Sequence, residues 1–258
     1  MALIALCCWD TEENGRTEYT RRTLHSLKET VDTGRHRIIV VDNGSCEETK
    51  EELDYFKNAL GLIEVITLPE NIGTARAINK AWQLRKEGEH CVKMDNDVVI
   101  YSGGWANQLE AAINRDPNIG IIGLKRKDCW ETPTHPEPFY RSELAMLPHA
   151  AGEPWIVVEK VRHVMGTCHM FNSALLDKIG YLYQPRLYGF DDCLAATRSE
   201  VAGFYNAFLP HIEIDHIDTG ATEYQGWKEK VSGEDMVAFN QITADYRSGK
   251  RPIYESSN

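Results

Sequence analysis

Between Ala2 and Leu124 short apolar runs alternate with segments of helical periodicity, and this constrains the fold more than any other feature. Ala2–Cys8 is apolar. Thr17–Val31 follows, with Leu24, Leu27 and Val31 on one helical face. Arg37–Val41 carries Ile38, Ile39, Val40 and Val41 without a break, as a strand buried on both faces requires. It stops at Asp42-Asn43-Gly44-Ser45, a turn sequence. Cys46–Leu60 is predicted helical with Leu53, Phe56 and Leu60 inward, and Leu62–Leu68 extended. Gly73–Arg85 places Ala75, Ile78 and Trp82 on one helical face. Cys91–Met94 is a strand ending in Asp95-Asn96-Asp97. Trp105–Ile113 reads as helix and Ile119–Leu124 as strand. This rhythm implies βαβ crossovers: an α/β fold with a mixed, mainly parallel sheet flanked by helices. Such sheets bind ligands beyond the carboxyl ends of their strands. The polar turns after the strands are therefore where function is expected.

The rhythm breaks at Lys125. From there to Pro154 the chain holds Pro133, Pro136, Pro138, Pro148 and Pro154, a loop-rich insertion of the length that usually serves a function. Strands are expected again over Trp155–His163 and Val164–Phe171, and helices over Ser173–Ile179 and Asp191–Val201. Phe204–Leu209 and Ile212–Ile214 read as two further strands. The polar end of the chain is expected to form a peripheral helix and tail.

A length of 258 residues suits one large domain or two small ones, and buries enough surface to fold without disulfides or structural metal. With 42% hydrophobic and 26% charged residues, the chain is neither disordered nor collagen-like nor a coiled coil. A net charge of −11 argues against broad phosphate-backbone binding. No apolar run approaches the roughly 20 residues that span a bilayer. Met1–Trp9 lacks a basic leader and meets Asp10, Glu12 and Glu13 at once, so it reads as a buried strand and not a signal peptide. Seven cysteines, an odd number without a CxxC pair, read as reduced thiols of a cytoplasmic chain.

The central motif is Asp95-Asn96-Asp97. Carboxylates two residues apart on extended chain project to one side, so one must be protonated or a cation must sit beside them. Oxygen ligands of this kind suit Mg2+ or Mn2+, with a diphosphate completing the coordination. Asp42, at a strand end, is placed to accept hydrogen bonds from a base or ribose, although an Asx-turn would look the same. In Asn71-Ile72-Gly73-Thr74-Ala75-Arg76, Gly73 permits close backbone approach and Arg76 lies in the first helical turn, within reach of a phosphate. In Tyr188-Gly189-Phe190-Asp191-Asp192 the adjacent acids point apart; one near an acceptor hydroxyl can act as a base, and the pair also fits a helix start. His216 lies between Asp215 and Asp218 and offers an imidazole to a metal begun by Asp97. GxGxxG, GxxxxGK[ST], GxSxG and HExxH are all absent, so no dinucleotide fingerprint, P-loop, serine-hydrolase elbow or zincin motif is present.

Taken in order, strand one, the VVDNGS turn, the NIGTARAIN helix start, the DND triplet, the YGFDD segment and the late histidine resemble the family-two, GT-A type glycosyltransferases. The resemblance runs from about Leu3 to Trp227. It implies a GT-A fold, a nucleoside-diphosphate sugar donor of UDP type, Mn2+ or Mg2+, and inversion at the anomeric carbon. It further implies that Asp42 contacts the base, that Asn71, Gly73 and Arg76 help hold the donor, and that Asp95 and Asn96 lie by the ribose. Asp95, Asp97 and His216 would hold the metal. Asp192 matches the second acid of the family's Glu-Asp pair, the expected base, and Asp191 stands where the family prefers Glu. Trp9-Asp10-Thr11 takes the place of the family's small polar run after strand one, with Trp9 in the donor-binding position. Residues 1–124 would form the donor half, 125–227 the acceptor and catalytic half, and 228–258 a peripheral segment. The Lys125–Pro154 stretch would serve as a lid or acceptor wall.

The acceptor is expected to be a saccharide or another soluble hydroxyl compound. A hydroxylated nucleobase is less favoured, because Lys125, Arg126, Lys127, Arg141, Lys160 and Arg162 read as solvated surface despite their positive charge. A sugar nucleotidyltransferase would open with a Gly-rich basic loop, which Trp9–Arg16 does not supply. An inactive sugar-binding module is disfavoured by the intact acidic triplet and His216.

Overall fold

The computed structural model describes residues 1–128, 143–149, 151–218 and 223–257. Its strands are β1 (Ala2–Cys8), β2 (Arg37–Asp42), β3 (Glu64–Thr67), β4 (His90–Asp95), β5 (Val98–Ile100), β6 (Ile119–Arg126), β7 (Glu143–Met146), β8 (Val157–Val161), β9 (Cys168–Phe171) and β10 (Tyr205–His216). The helices are α1 (Thr17–Thr30), α2 (Glu47–Asp54), α3 (Thr74–Trp82), α4 (Trp105–Arg115), α5 (Ser173–Ile179), α6 (Asp191–Val201) and α7 (Glu223–Ser248).

One sheet runs in the order β3-β2-β1-β4-β9-β6-β10-β8-β7, with β5 pairing the end of β10. β3, β2, β1, β4, β6, β10 and β7 point one way; β9, β8 and β5 point the other. The sheet is mixed and mainly parallel, and its strands alternate sides. Ile4 and Leu6 of β1, Val40 of β2 and Val92 and Met94 of β4 pack with Leu24, Leu27, Phe56, Trp105 and Leu109 from α1, the α2 region and α4. Leu3, Ala5, Ile39, Val41 and Cys91 pack with Ala75, Ile78, Trp82, Leu175 and Ala195 from α3, α5 and α6. Period-two strands thus serve two separate cores, and α3 forms because its 3.6-residue stripe of Ala75, Ile78 and Trp82 matches one of them.

The differences from the predicted elements have local causes. The helix expected over Cys46–Leu60 is α-helical only to Asp54; Tyr55–Ala59 is a π-turn that carries Phe56 into the core. The break expected near Pro210 is a bulge within one long strand. Pro210 has no N–H to give the ladder, and the register of β10 against β6 slips between Leu209 and Glu213. β7 lies inside the stretch expected to be loop, and residues 129–142 of that stretch are outside the described residues. β5 was not expected; its three residues turn out to position the site.

Candidate active site

β1 is where the strand order reverses: β2 and β3 lie to one side of it and β4 to the other. A crevice opens beyond the carboxyl ends of strands at such a point. The register aligns Cys8 with Asp42 and Cys7 with Asp95, so the acids that end β2 and β4 flank the end of β1.

Asp97 lies in the turn between β4 and β5, and β5 pairs antiparallel with the end of β10 so that Val98 faces His216. The backbone closes the junction, Ile217 N–H donating to the Asp97 carbonyl at 2.9 Å. Residues far apart in sequence thereby meet: His216 Nε2 lies 3.5 Å from Asp97 Oδ1. The other oxygen, Oδ2, accepts from Arg16 at 2.5 Å, and Arg16 also donates to Asp218 at 2.7 Å. Burial raises the Asp97 carboxyl, but His216 and Arg16 outweigh it and hold the group well below the usual carboxylate range. Asp97 Oδ1 is buried and has no hydrogen-bond partner. An orphaned carboxylate oxygen beside an imidazole nitrogen is a donor set that fits Mn2+ or Mg2+, and the half-buried Asp95, 34% exposed at its side chain, lies close by.

Asp95 belongs to a second charge cluster. Lys93, 4% exposed, sits two residues before it on the same side of β4. Its Nζ lies 3.1 Å from Asp95 Oδ1 and 3.3 Å from Asp191 Oδ2, and donates to the Gly166 carbonyl at 3.0 Å. The ammonium is thus hydrogen-bonded to one carbonyl and ion-paired with two carboxylates, and Asp191 Oδ2 is itself buried without a hydrogen bond. Burial opposes the charge on Lys93, yet Asp191 and Asp95 raise its pKa well above normal. Burial pushes Asp95 and Asp191 upward, and Lys93 acts against it in both. Gly166 is required for this approach, because a Cβ there would stand 2.6 Å from Lys93 Nζ and 3.3 Å from Asp192 Cβ.

Asp191 and Asp192 open α6, where the helix dipole favours anions. Phe190 precedes them in a left-handed conformation, φ +67°, with its ring stacked on Phe239 at 4.6 Å. The two acids separate as expected: Asp191 is buried against Lys93, whereas the Asp192 side chain is 21% exposed. Asp192 Oδ2 accepts from Gly166 N–H at 2.9 Å and lies 3.1 Å from His163 Nε2; its Oδ1 accepts from Cys193 N–H at 2.7 Å. Burial raises Asp192, but His163 and Lys93 prevail and hold it far below the usual range.

The β2 and β3 ends brace one another. Asp42 Oδ1 accepts from Ser45 N–H at 2.8 Å, and Oδ2 is buried without a hydrogen-bond partner. Asn71 Oδ1 accepts from Asn43 Nδ2 and from Gly73 N–H, both at 2.9 Å. Asn71 is therefore occupied with loop geometry. Gly73 caps α3 at φ +92°, and a Cβ there would lie 3.1 Å from Leu187 Cα. Gly73→Ala is expected to cost about 1–3 kcal/mol from the left-handed strain, read as a lowered midpoint in chemical denaturation. Arg76 is exposed and forms no ion pair among the described residues. Trp9 is half-buried at the end of β1. Asn96 points away from Asp95 and Asp97: its amide donates to Asp10 Oδ1 and Thr20 Oγ1, both at 2.8 Å. Lys125 is buried against Glu159 at 2.6 Å and Arg126 pairs with Asp128, so these two are not an open basic surface; Arg141 lies outside the described residues.

Sequence reasoning missed Arg16, Lys93, His163, Gly166 and Asp218. A signal existed for Lys93, a lone cation in the apolar strand Cys91–Met94 with Asp95 two positions on. Arg16 and His163 carry no local signal. Cys7, Cys8, Cys46, Cys91, Cys168 and Cys193 are free thiols. Among the described residues no helix is long and apolar enough to cross a membrane.

The family model described as glycosyl transferase family 2 matches residues 14–180. No curated protein matches the sequence significantly. Among solved structures, the chain is similar to the mannosyltransferase PcManGT from Pyrobaculum calidifontis in complex with GDP-Man and Mn2+, with TM-score 0.63 and 17% identity over 88% of this chain and 59% of that one. It is similar to GalNAc-T7 with UDP, GalNAc and Mn2+, with TM-score 0.63 and 15% identity over 96% of this chain and 54% of that one. It is also similar to S. aureus TarS 1-349 in complex with UDP-GlcNAc, with TM-score 0.60 and 16% identity over 95% of this chain and 71% of that one. The chain thus spans 59% and 54% of the first two, and at these identities the likeness is one of fold.

Proposed function

Because this chain belongs to glycosyl transferase family 2, we propose that it moves a sugar from a nucleoside-diphosphate sugar to an acceptor hydroxyl, with inversion and with Mn2+ or Mg2+. The observation that carries the proposal is the meeting of Asp97 Oδ1, buried and without a hydrogen bond, with His216 Nε2 at the switch point of the sheet. The GDP-Man and Mn2+ of one structural neighbour, and the UDP-GlcNAc of another, support the choice of donor class and ion.

Asp97, His216 and the exposed oxygen of Asp95 would hold the ion. When bound, a divalent cation there offsets the charge that builds on the departing diphosphate. Lys93 favours the anionic forms of Asp95 and Asp191 against the effect of burial and fixes their directions. Asp42 Oδ2 is an acceptor suited to an N–H of the base. Arg16 shields Asp97 from Asp218 and leaves one oxygen of Asp97 for the ion. The acceptor hydroxyl approaches the Asp192 end of α6, because Asp191 is sealed against Lys93. A saccharide is the favoured acceptor, since a net charge of −11 disfavours a phosphate backbone and Lys125 and Arg126 are already paired with acids.

Thermal melting tests the reading without an acceptor. Mn2+ together with UDP or GDP at about 100 times the dissociation constant should contribute ~2.7 kcal/mol, a rise of about 5–10 °C for a chain of this size. Mn2+ alone should do much less. A rise of equal size with Mn2+ alone, or none with either nucleotide, would overturn the proposal.

A further inference from the structure

Asp192 is poorly placed to be a proton acceptor by itself. A carboxylate has about four lone-pair sites. Three of them are taken, by Gly166 N–H, Cys193 N–H and His163 Nε2. Its protonated form is correspondingly disfavoured. His163 stands between β8 and β9, with its side chain 21% exposed. Nε2 is engaged with Asp192 at 3.1 Å and lies 3.4 Å from Cys193 Sγ, whereas Nδ1 has no hydrogen bond among the described residues.

Resting on the glycosyl-transfer reading above, we infer that His163 and Asp192 form a catalytic dyad: Asp192 holds the Nε2–H tautomer, and His163 Nδ1 takes the proton of the acceptor hydroxyl. The step balances. The hydroxyl oxygen forms its bond to the anomeric carbon as its proton passes to Nδ1. The bond from that carbon to the diphosphate oxygen breaks, and its electron pair leaves on the diphosphate. Asp192 stabilises the imidazolium until the proton is lost to solvent.

The groups facing His163 set its titration. Asp192 and Asp191 from α6 favour the imidazolium. Burial and Lys93 from β4 oppose it, burial being the largest single influence, and the net direction is upward from 6.5. His169 of β9 is pushed down to about 3 by burial and stays neutral. Cys193 is held as a thiol, chiefly by burial and then by Asp192. The neutral imidazole is the working form. Activity should therefore be present above a midpoint higher than 6.5 and fall about tenfold per pH unit below it.

Two measurements test the dyad. Nitrogen-15 NMR of histidine-labelled protein, with His163→Gln to assign the signal, reads the tautomer and midpoint with no donor present. The Nε2–H tautomer is expected, with a midpoint above 6.5 that drops in Asp192→Asn. The second measurement is nucleotide release from GDP-mannose, UDP-GlcNAc and related donors, with water as acceptor. His163→Gln should lower kcat by about 10²–10⁴-fold with donor KM unchanged and without the acid limb. Added imidazole should partly restore the rate of His163→Gly. An Nδ1–H tautomer, a midpoint indifferent to Asp192→Asn, or an unchanged acid limb in His163→Gln would overturn the dyad. So would one equivalent of zinc that survives chelation and is lost in Cys193→Ser, since His163, Asp192 and Cys193 also form a possible ligand set. Failure of the glycosyl-transfer reading shows separately, as absence of Mn2+-dependent nucleotide binding.

Discussion

Asp97→Asn is expected to lower metal-dependent sugar transfer by about 10²–10³-fold, corresponding to ~3–4 kcal/mol of charge stabilisation withdrawn from the departing diphosphate. The substitution preserves volume. Arg16 keeps its contact with Asp218 at 2.7 Å, so the turn between β4 and β5 should remain in place. What changes is Oδ1, the buried oxygen without a hydrogen-bond partner 3.5 Å from His216. A neutral amide there is a weaker ligand for a hard cation. The measurement is nucleotide release at saturating donor across a Mn2+ titration, with circular dichroism to confirm the fold. Activity within tenfold of the parent at every Mn2+ concentration would remove Asp97 from the metal site.

Lys93→Met should be the most destabilising single change in the site. Methionine matches the length of the stem but leaves Asp95 and Asp191 without the cation that lies 3.1 and 3.3 Å from them. Stripping one partner from a buried charge cluster costs about 3–5 kcal/mol, so the melting temperature should fall by roughly 6–20 °C. The effect has a pH signature. Without Lys93, the folded-state pKa values of Asp95 and Asp191 rise further above their unfolded values. Protonation then favours the folded state, and the variant regains stability as pH falls. Melts at pH 8 and pH 5 should differ from the parent by less at the lower pH. A constant difference would mean that lost packing, and not uncompensated charge, is the cause.

The sheet was largely legible because its signals are local. The β-branched run Ile38–Val41 and the stripe of Ala75, Ile78 and Trp82 each declare their element within one or two turns of chain. The same holds for the acids Asp42 and Asp95, which end strands and so had to lie at one edge of a parallel sheet. Asn96 was expected beside the ribose with its neighbours. Its amide also satisfies the buried Asp10, a requirement invisible until α1 and β4 are packed together. Arg76 was expected to reach the donor from a helix start, and it lies exposed in the first turn of α3.

The amino-acid order alone determined the alternation of strands and helices, the two faces of each strand and the set of turns that bear carboxylates. These follow from backbone periodicity, which acts over a few residues. Only the tertiary structure decided which cation serves which acid. Arg16 finds Asp97 across 81 positions and Asp218 across 202, and His163 finds Asp192 through a loop held at Gly166. Buried charges must be neutralised through space, and the distances that matter there are set by packing, with no trace in the spacing along the chain.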